Sequence, residues 1–229
     1  LTGKINTFDF DIIRTMKNLK ALDLSKTDNT TIPASCLANT NISTVLMPLG
    51  LTAIPNRAFY QAAITSIYIP ETVQTIGEYA FYQCKSITGN LVIPDATTSI
   101  GNYCFTSCTF NGTLTLGNGL QTFGESAFGG NQSLVGDLTI PVTVTSLGAS
   151  AYSGNVGFNR HLTIDSGINI PFACFYDCRN FSKLTIAEGV NIIGESAFEN
   201  LSSITGNLKL PNSITSIGAR AFFGCSKID

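Results

Sequence analysis

Apolar residues stand two apart at nine places along the chain: Leu22/Leu24, Val45/Met47, Ile67/Ile69, Leu91/Ile93, Leu114/Leu116, Leu138/Ile140, Leu162/Ile164, Leu184/Ile186 and Leu208/Leu210. Alternation of that period turns both members inward and the residue between them outward, so each pair predicts a strand of three to four residues. After each pair comes one large apolar residue, Leu37, Phe59, Phe81, Phe105, Phe128, Tyr152, Phe175, Phe198 or Phe222, at intervals of 22, 22, 24, 23, 24, 23, 23 and 24 residues. Units this short cannot bury their own apolar faces, and stacking them makes one continuous core. The expected fold class is therefore an α/β solenoid: a right-handed coil with a continuous parallel β-sheet, short second strands and short helical turns.

Half of each unit has fixed length. The strand pair and the following large apolar residue are 14 residues apart in seven of the nine units, whereas the next strand begins 8 to 10 residues later. Pro or Gly usually closes the strand (Pro48, Pro70, Pro94, Gly117, Pro141, Pro211), as expected where a chain leaves a ladder at a corner. A second apolar pair follows, as in Val73/Ile76 and Leu120/Phe123, and then Gly77, Gly101, Gly124, Gly148, Gly194 or Gly218. Glycine there implies positive φ or close packing, and Pro55 and Pro171 at the same place in two units exclude positive φ as a general rule. The next phrase, such as Glu78 to Cys84, reads as one helical turn with its Ala and Phe inside.

The recurring phrase apolar-x-Ile-Pro-x-x-Val-Thr-x-Ile-Gly-x-x-Ala-Phe-x-x-Cys is clearest over Ile67 to Cys84 and Leu208 to Cys225. It resembles the BspA-type leucine-rich repeats, and runs such as Leu19 to Leu24 and Phe181 to Ile186 fit the strand signature of leucine-rich repeats. The resemblance covers residues 20–229. It implies a surface protein of the kind abundant in gut and oral Bacteroidetes and some parasitic protists, with adhesion to matrix proteins or other cells and no catalytic set.

Composition adds little to the partner question. The chain is 44% hydrophobic and only 12% charged, with a net charge of −2, and it has no basic stripe with interleaved aromatics; neither nucleic acid nor an anionic membrane is implied. Nine of the charged residues fall within residues 1–28, where Ile12, Ile13, Met16 and Leu19 follow Asp11 at helical spacing. This predicts a helical cap over residues 1–28, with Asp11 as N-cap, merging into a solenoid of about nine repeats over residues 20–229. Residues 225–229 repeat the register of residues 84–88, so the C-terminal end reads as truncated, with Phe222, Phe223 and Ile228 uncovered. No apolar run is long enough to insert this segment into a membrane.

Seven cysteines raise the question of disulfides or metal. Cys84, Cys108, Cys178 and Cys225 share a column with Ala62, Asn131, Asn155 and Leu201, and Cys104 and Cys174 share one with alanines, so buried small-residue slots are expected. A Cys84–Cys108 bridge is the alternative, and zinc is disfavoured by the absence of CxxC spacing. His161, the one histidine, falls in an outward column, with Asp137 and Asp165 on neighbouring coils. No cofactor, metal site or enzyme activity is implied.

The residues between the inward strand pairs should form an exposed row: Leu46, Tyr68, Val92, Thr115, Thr139, Thr163 and Thr185, flanked by Asp23 and Lys209. Four successive threonines suit a solvated β surface. The row is also a neutral, hydrogen-bonding strip with an apolar end, fit for a protein or glycan on a host or neighbouring cell. The expected function is thus extracellular or cell-surface adhesion. A structural spacer within a larger surface protein is the alternative, and oligomeric state is left open.

Overall fold

The computed structural model describes residues 1–228 and is a parallel-strand β-solenoid of about nine turns. Asp229, the last residue of the expected solenoid, lies outside the described residues. Coils are numbered here by their large apolar residue, from Leu37 in coil one to Phe222 in coil nine. The strand pairs face inward through most of the solenoid, but Ile67, Leu116 and Leu208 are half-buried and Leu210, in the last coil, is exposed. Thr139, Thr163 and Thr185 stand in register between Leu138/Ile140, Leu162/Ile164 and Leu184/Ile186 on three hydrogen-bonded parallel strands. Two-residue second strands also form, the longest group joining Ala53–Ile54, Thr75–Ile76, Ser99–Ile100 and Thr122–Phe123.

The first sheet is not continuous. It divides into Ala21–Asp23 with Thr44–Leu46, Leu91–Val92 with Leu114–Thr115, and the three-stranded group ending in Lys183–Ile186. Residues 66–69 and 207–210 carry no strand. The closing residue limits strand length. Where Asp165 and Ala187 follow the strand, their N–H groups donate to Ile140 and Ile164 of the preceding coil, and the strands reach four residues. A closing proline has no such donor: the strands before Pro48, Pro94 and Pro141 stop at two or three residues, and the runs before Pro70 and Pro211 form none.

Among the described residues no coil carries a helical turn, so the expected short helical turns and the α/β assignment are not confirmed. In every coil the residues two before and two after the large apolar residue have φ between 49° and 79°, from Ser35 and Asn39 to Arg220 and Gly224. A right-handed turn cannot contain such residues. The backbone instead reverses its local twist twice, which aligns three peptide planes along the solenoid axis. Their N–H groups donate to the same carbonyls one coil on; for coil three these are Tyr79 to Asn102, Phe81 to Cys104 and Gln83 to Thr106, at 2.8–2.9 Å. All eight coil-to-coil junctions carry this triplet. A left-handed non-glycine residue costs about 1–2 kcal/mol, which the inter-coil bonds and the burial between them offset.

Inside this corner the rings from Phe59 to Phe222 form one near-parallel stack, with centroids 5.0–5.6 Å apart. Each buried ring is worth about 1.5–3 kcal/mol of transfer free energy before ordering entropy. The glycine column serves close approach: a Cβ on Gly101 would lie 2.5 Å from the Glu78 nitrogen of the preceding coil.

At the N-terminus, helix α1 (Thr7–Thr15) begins earlier than expected. Asn6, not Asp11, is its N-cap, in a capping box with Asp9, because the buried residues are Phe10 and Ile13 while Ile12 and Met16 face solvent. In coil nine Phe223 is exposed, and Phe222 and Ile228 are half-buried.

Candidate interaction surface

The strand row points outward along the solenoid. Leu46, Tyr68 and Val92 are 50%, 60% and 53% exposed on three successive coils, so about half of each apolar side chain is left to water. Thr115, Thr139 and Thr185 are exposed and Thr163 is half-buried. Register joins Val92 to Thr115 and Thr139 to Thr163 and Thr185. It does not join Tyr68 to its neighbours, since residues 66–69 make no strand. Thr115 and Thr139 nevertheless meet in one groove of ≈ 530 Å³, walled by Leu116 and Val142 and edged by Asp137 and Asp165.

His161 lies beside this groove. Its main-chain N–H donates to Asp137 Oδ1 at 3.0 Å, and its Nε2 is 2.8 Å from Thr185 Oγ1. Asp137 also faces Arg160 at 4.0 Å, between two exposed side chains. The imidazole thus has a hydroxyl beside it and no orienting carboxylate, so the set reads as a surface hydrogen-bond network rather than a relay.

The cysteines are free thiols, six of them buried. Their column does more than fill a slot. Cys84 and Cys108 donate to the carbonyls of Phe59 and Phe81, each at 3.0 Å, and Asn131 and Asn155 donate from the same column to Phe105, Phe128 and Tyr152. Burial pushes the thiols of Cys36 and Cys178 up to about 12. Among the described residues there is no cluster of His, Cys, Asp and Glu able to hold a metal ion, and no helix long and apolar enough to cross a membrane.

A second surface group was not foreseen from the sequence. Tyr60 stacks on Tyr82 at 5.3 Å and Tyr79 on Tyr103 at 5.1 Å, while Arg57 lies over Tyr60 and Tyr79. Tyr103 hydrogen-bonds Glu125, which, as the acceptor, raises the phenol to about 12. These side chains occupy two columns of the corner, two before and one after the ring. The available signal was the clustering of four of the chain's seven tyrosines in those columns over coils two to four.

A sequence model of the BspA type leucine-rich repeat region matches residues 30–159 and 168–229, in six copies. Among solved structures, a leucine-rich repeat protein from Eubacterium ventriosum is 16% identical over 97% of this chain and 88% of that one, with a TM-score of 0.58. A leucine-rich repeat protein of T. pallidum is 19% identical over 92% of this chain and 78% of that one, with a TM-score of 0.53. At these identities the likeness is one of fold. No curated protein matches the chain.

Proposed function

The chain belongs to the BspA-type leucine-rich repeat family, and from that premise we propose that it is a non-catalytic recognition module of a cell-surface protein. It offers the strand row to a protein or glycan on a host or neighbouring cell. The observation that supports this reading is the unbroken exposure of Leu46, Tyr68 and Val92 on consecutive coils. Isolated surface apolar residues are ordinary; a contiguous row continued by threonines provides both an anchor and a hydrogen-bonding rim.

The test is a screen of matrix proteins and glycans followed by substitution. Tyr68→Asp and Thr139→Asp should each weaken a saturable partner by tenfold or more with little change in Tm. A chain that binds nothing saturably is a spacer or stalk, and binding indifferent to both changes would move the interface off the strand row.

A further inference from the structure

The tyrosine columns end abruptly at coil one. One residue after the ring, the column reads Ala38, Tyr60, Tyr82; two residues before it, the column reads Ser35, Arg57, Tyr79. Tyr60 is covered on one side by Tyr82, with planes 10° apart, and on the other it borders a recess shared with Ala38, where coil one supplies no ring. The space left is a recess of ≈ 320 Å³ lined by Ser35, Ala38, Asn39, Arg57 and Tyr60, and helix α1 closes it with Arg14. Its size is that of a small ligand pocket.

Its charge departs from that of the chain. Arg57 is exposed, its guanidinium 5.8 Å from the Tyr60 ring centroid. Arg14 meets Asp11 at 3.5 Å across solvent, a contact too exposed to neutralise it firmly. The adjoining hollow adds Lys17 beside Asp11. Three cations thus stand against one carboxylate, in a protein whose net charge is −2.

We propose that this recess binds a carboxylated pyranose at the end of a glycan, with Arg57 and Arg14 taking the carboxylate and Tyr60 the apolar face of the ring. Two guanidiniums present forked donors to a carboxylate. One open aromatic wall suits a sugar, which has a single apolar face, better than an aromatic side chain, which would need enclosure. Ser35 and Asn39 provide polar partners for ring hydroxyls. The site deepens the recognition role proposed above, but it sits on the corner and not on the strand row.

The experiment titrates the whole chain with the methyl glycosides of N-acetylneuraminic acid and glucuronic acid, with methyl glucoside as the neutral control, followed by NMR. At least one acidic glycoside should shift the resonances of Arg57 and Tyr60, with affinity that falls as salt rises, and the neutral glycoside should not. Arg57→Gln and Arg14→Gln, both at exposed positions, should each lower affinity about tenfold, while Thr139→Asp leaves it unchanged. Equal binding of neutral and acidic sugars, or binding indifferent to both arginine changes, would overturn the proposal. So would a sulfotyrosine peptide that binds at these residues when neither acidic sugar does. Loss of the strand-row partner with sugar binding intact would remove the earlier reading and leave this site standing.

Discussion

Each coil has a strand side and a corner side, and the two tolerate irregularity very differently. The strand side is broken into three groups, and two coils omit the strand altogether. The corner repeats its paired left-handed residues, its triplet of inter-coil hydrogen bonds and its packed ring without interruption from coil one to coil nine, with Leu37 replacing the ring only in the first. Cohesion between coils therefore rests chiefly on the corner. The strand side is then free to carry exposed apolar and hydroxyl side chains such as Leu46, Tyr68 and Thr139.

Substitutions on the two sides should separate cleanly. Phe128→Ala removes a ring from the middle of the stack and should cost about 3–5 kcal/mol in denaturant unfolding. A cost near zero would dissolve the distinction. Asn155→Ala should follow at about 1–3 kcal/mol, because the carbonyls of Phe128 and Tyr152 and the N–H of Asn131 each lose a buried partner. Asn155→Cys, which keeps one donor, should cost less. Gly101→Ala, whose Cβ would press on the backbone of coil three, belongs in the range of about 1–3 kcal/mol expected of overpacking. Thr139→Asp, on the strand side, should stay within about 0.5 kcal/mol.

The thiols sharpen the same contrast chemically. Cys36 and Cys178 titrate near 12 when folded and near 9 when unfolded, since burial disfavours the thiolate. Stability should be indifferent to these groups below pH 9 and fall from there toward pH 12, as the unfolded chain releases its protons first. In native alkylation at pH 8 the half-buried Cys225 should react before the other six. Early labelling of Cys84 or Cys108 would mean that the corner opens easily.

The strand side was largely legible in the sequence. Period-two alternation sends Leu138 and Ile140 inward and Thr139 outward whatever the neighbours do, so the exposed row followed from local geometry. The corner was not. Glu78-Tyr79-Ala80-Phe81 has the composition of a helical turn, and only the contacts with coils before and after it impose left-handed φ on Tyr79 and Gln83. Glycine marks that requirement in Gly130, Gly154 and Gly224 and asparagine hints at it in Asn39 and Asn200; elsewhere Ser, Arg, Tyr, Gln, Ala and Asp conceal it. Helix α1 starts ahead of Asp11 for a simpler reason: Asn6-x-x-Asp9 forms a reciprocal capping box, which a single acidic residue at Asp11 cannot match. The Tyr60 cluster needs two columns, three residues apart, to be viewed together across coils, which no single-repeat pattern provides.

Amide hydrogen exchange on the intact chain puts the division of labour to its most direct test. The N–H groups of Phe105, Phe128 and Tyr152, held in the corner columns, should be among the slowest in the molecule, and those of residues 66–69 on the strand side should exchange orders of magnitude faster. Corner amides that exchange as fast as residues 66–69, with the strand residues 162–164 and 184–186 protected instead, would contradict the account.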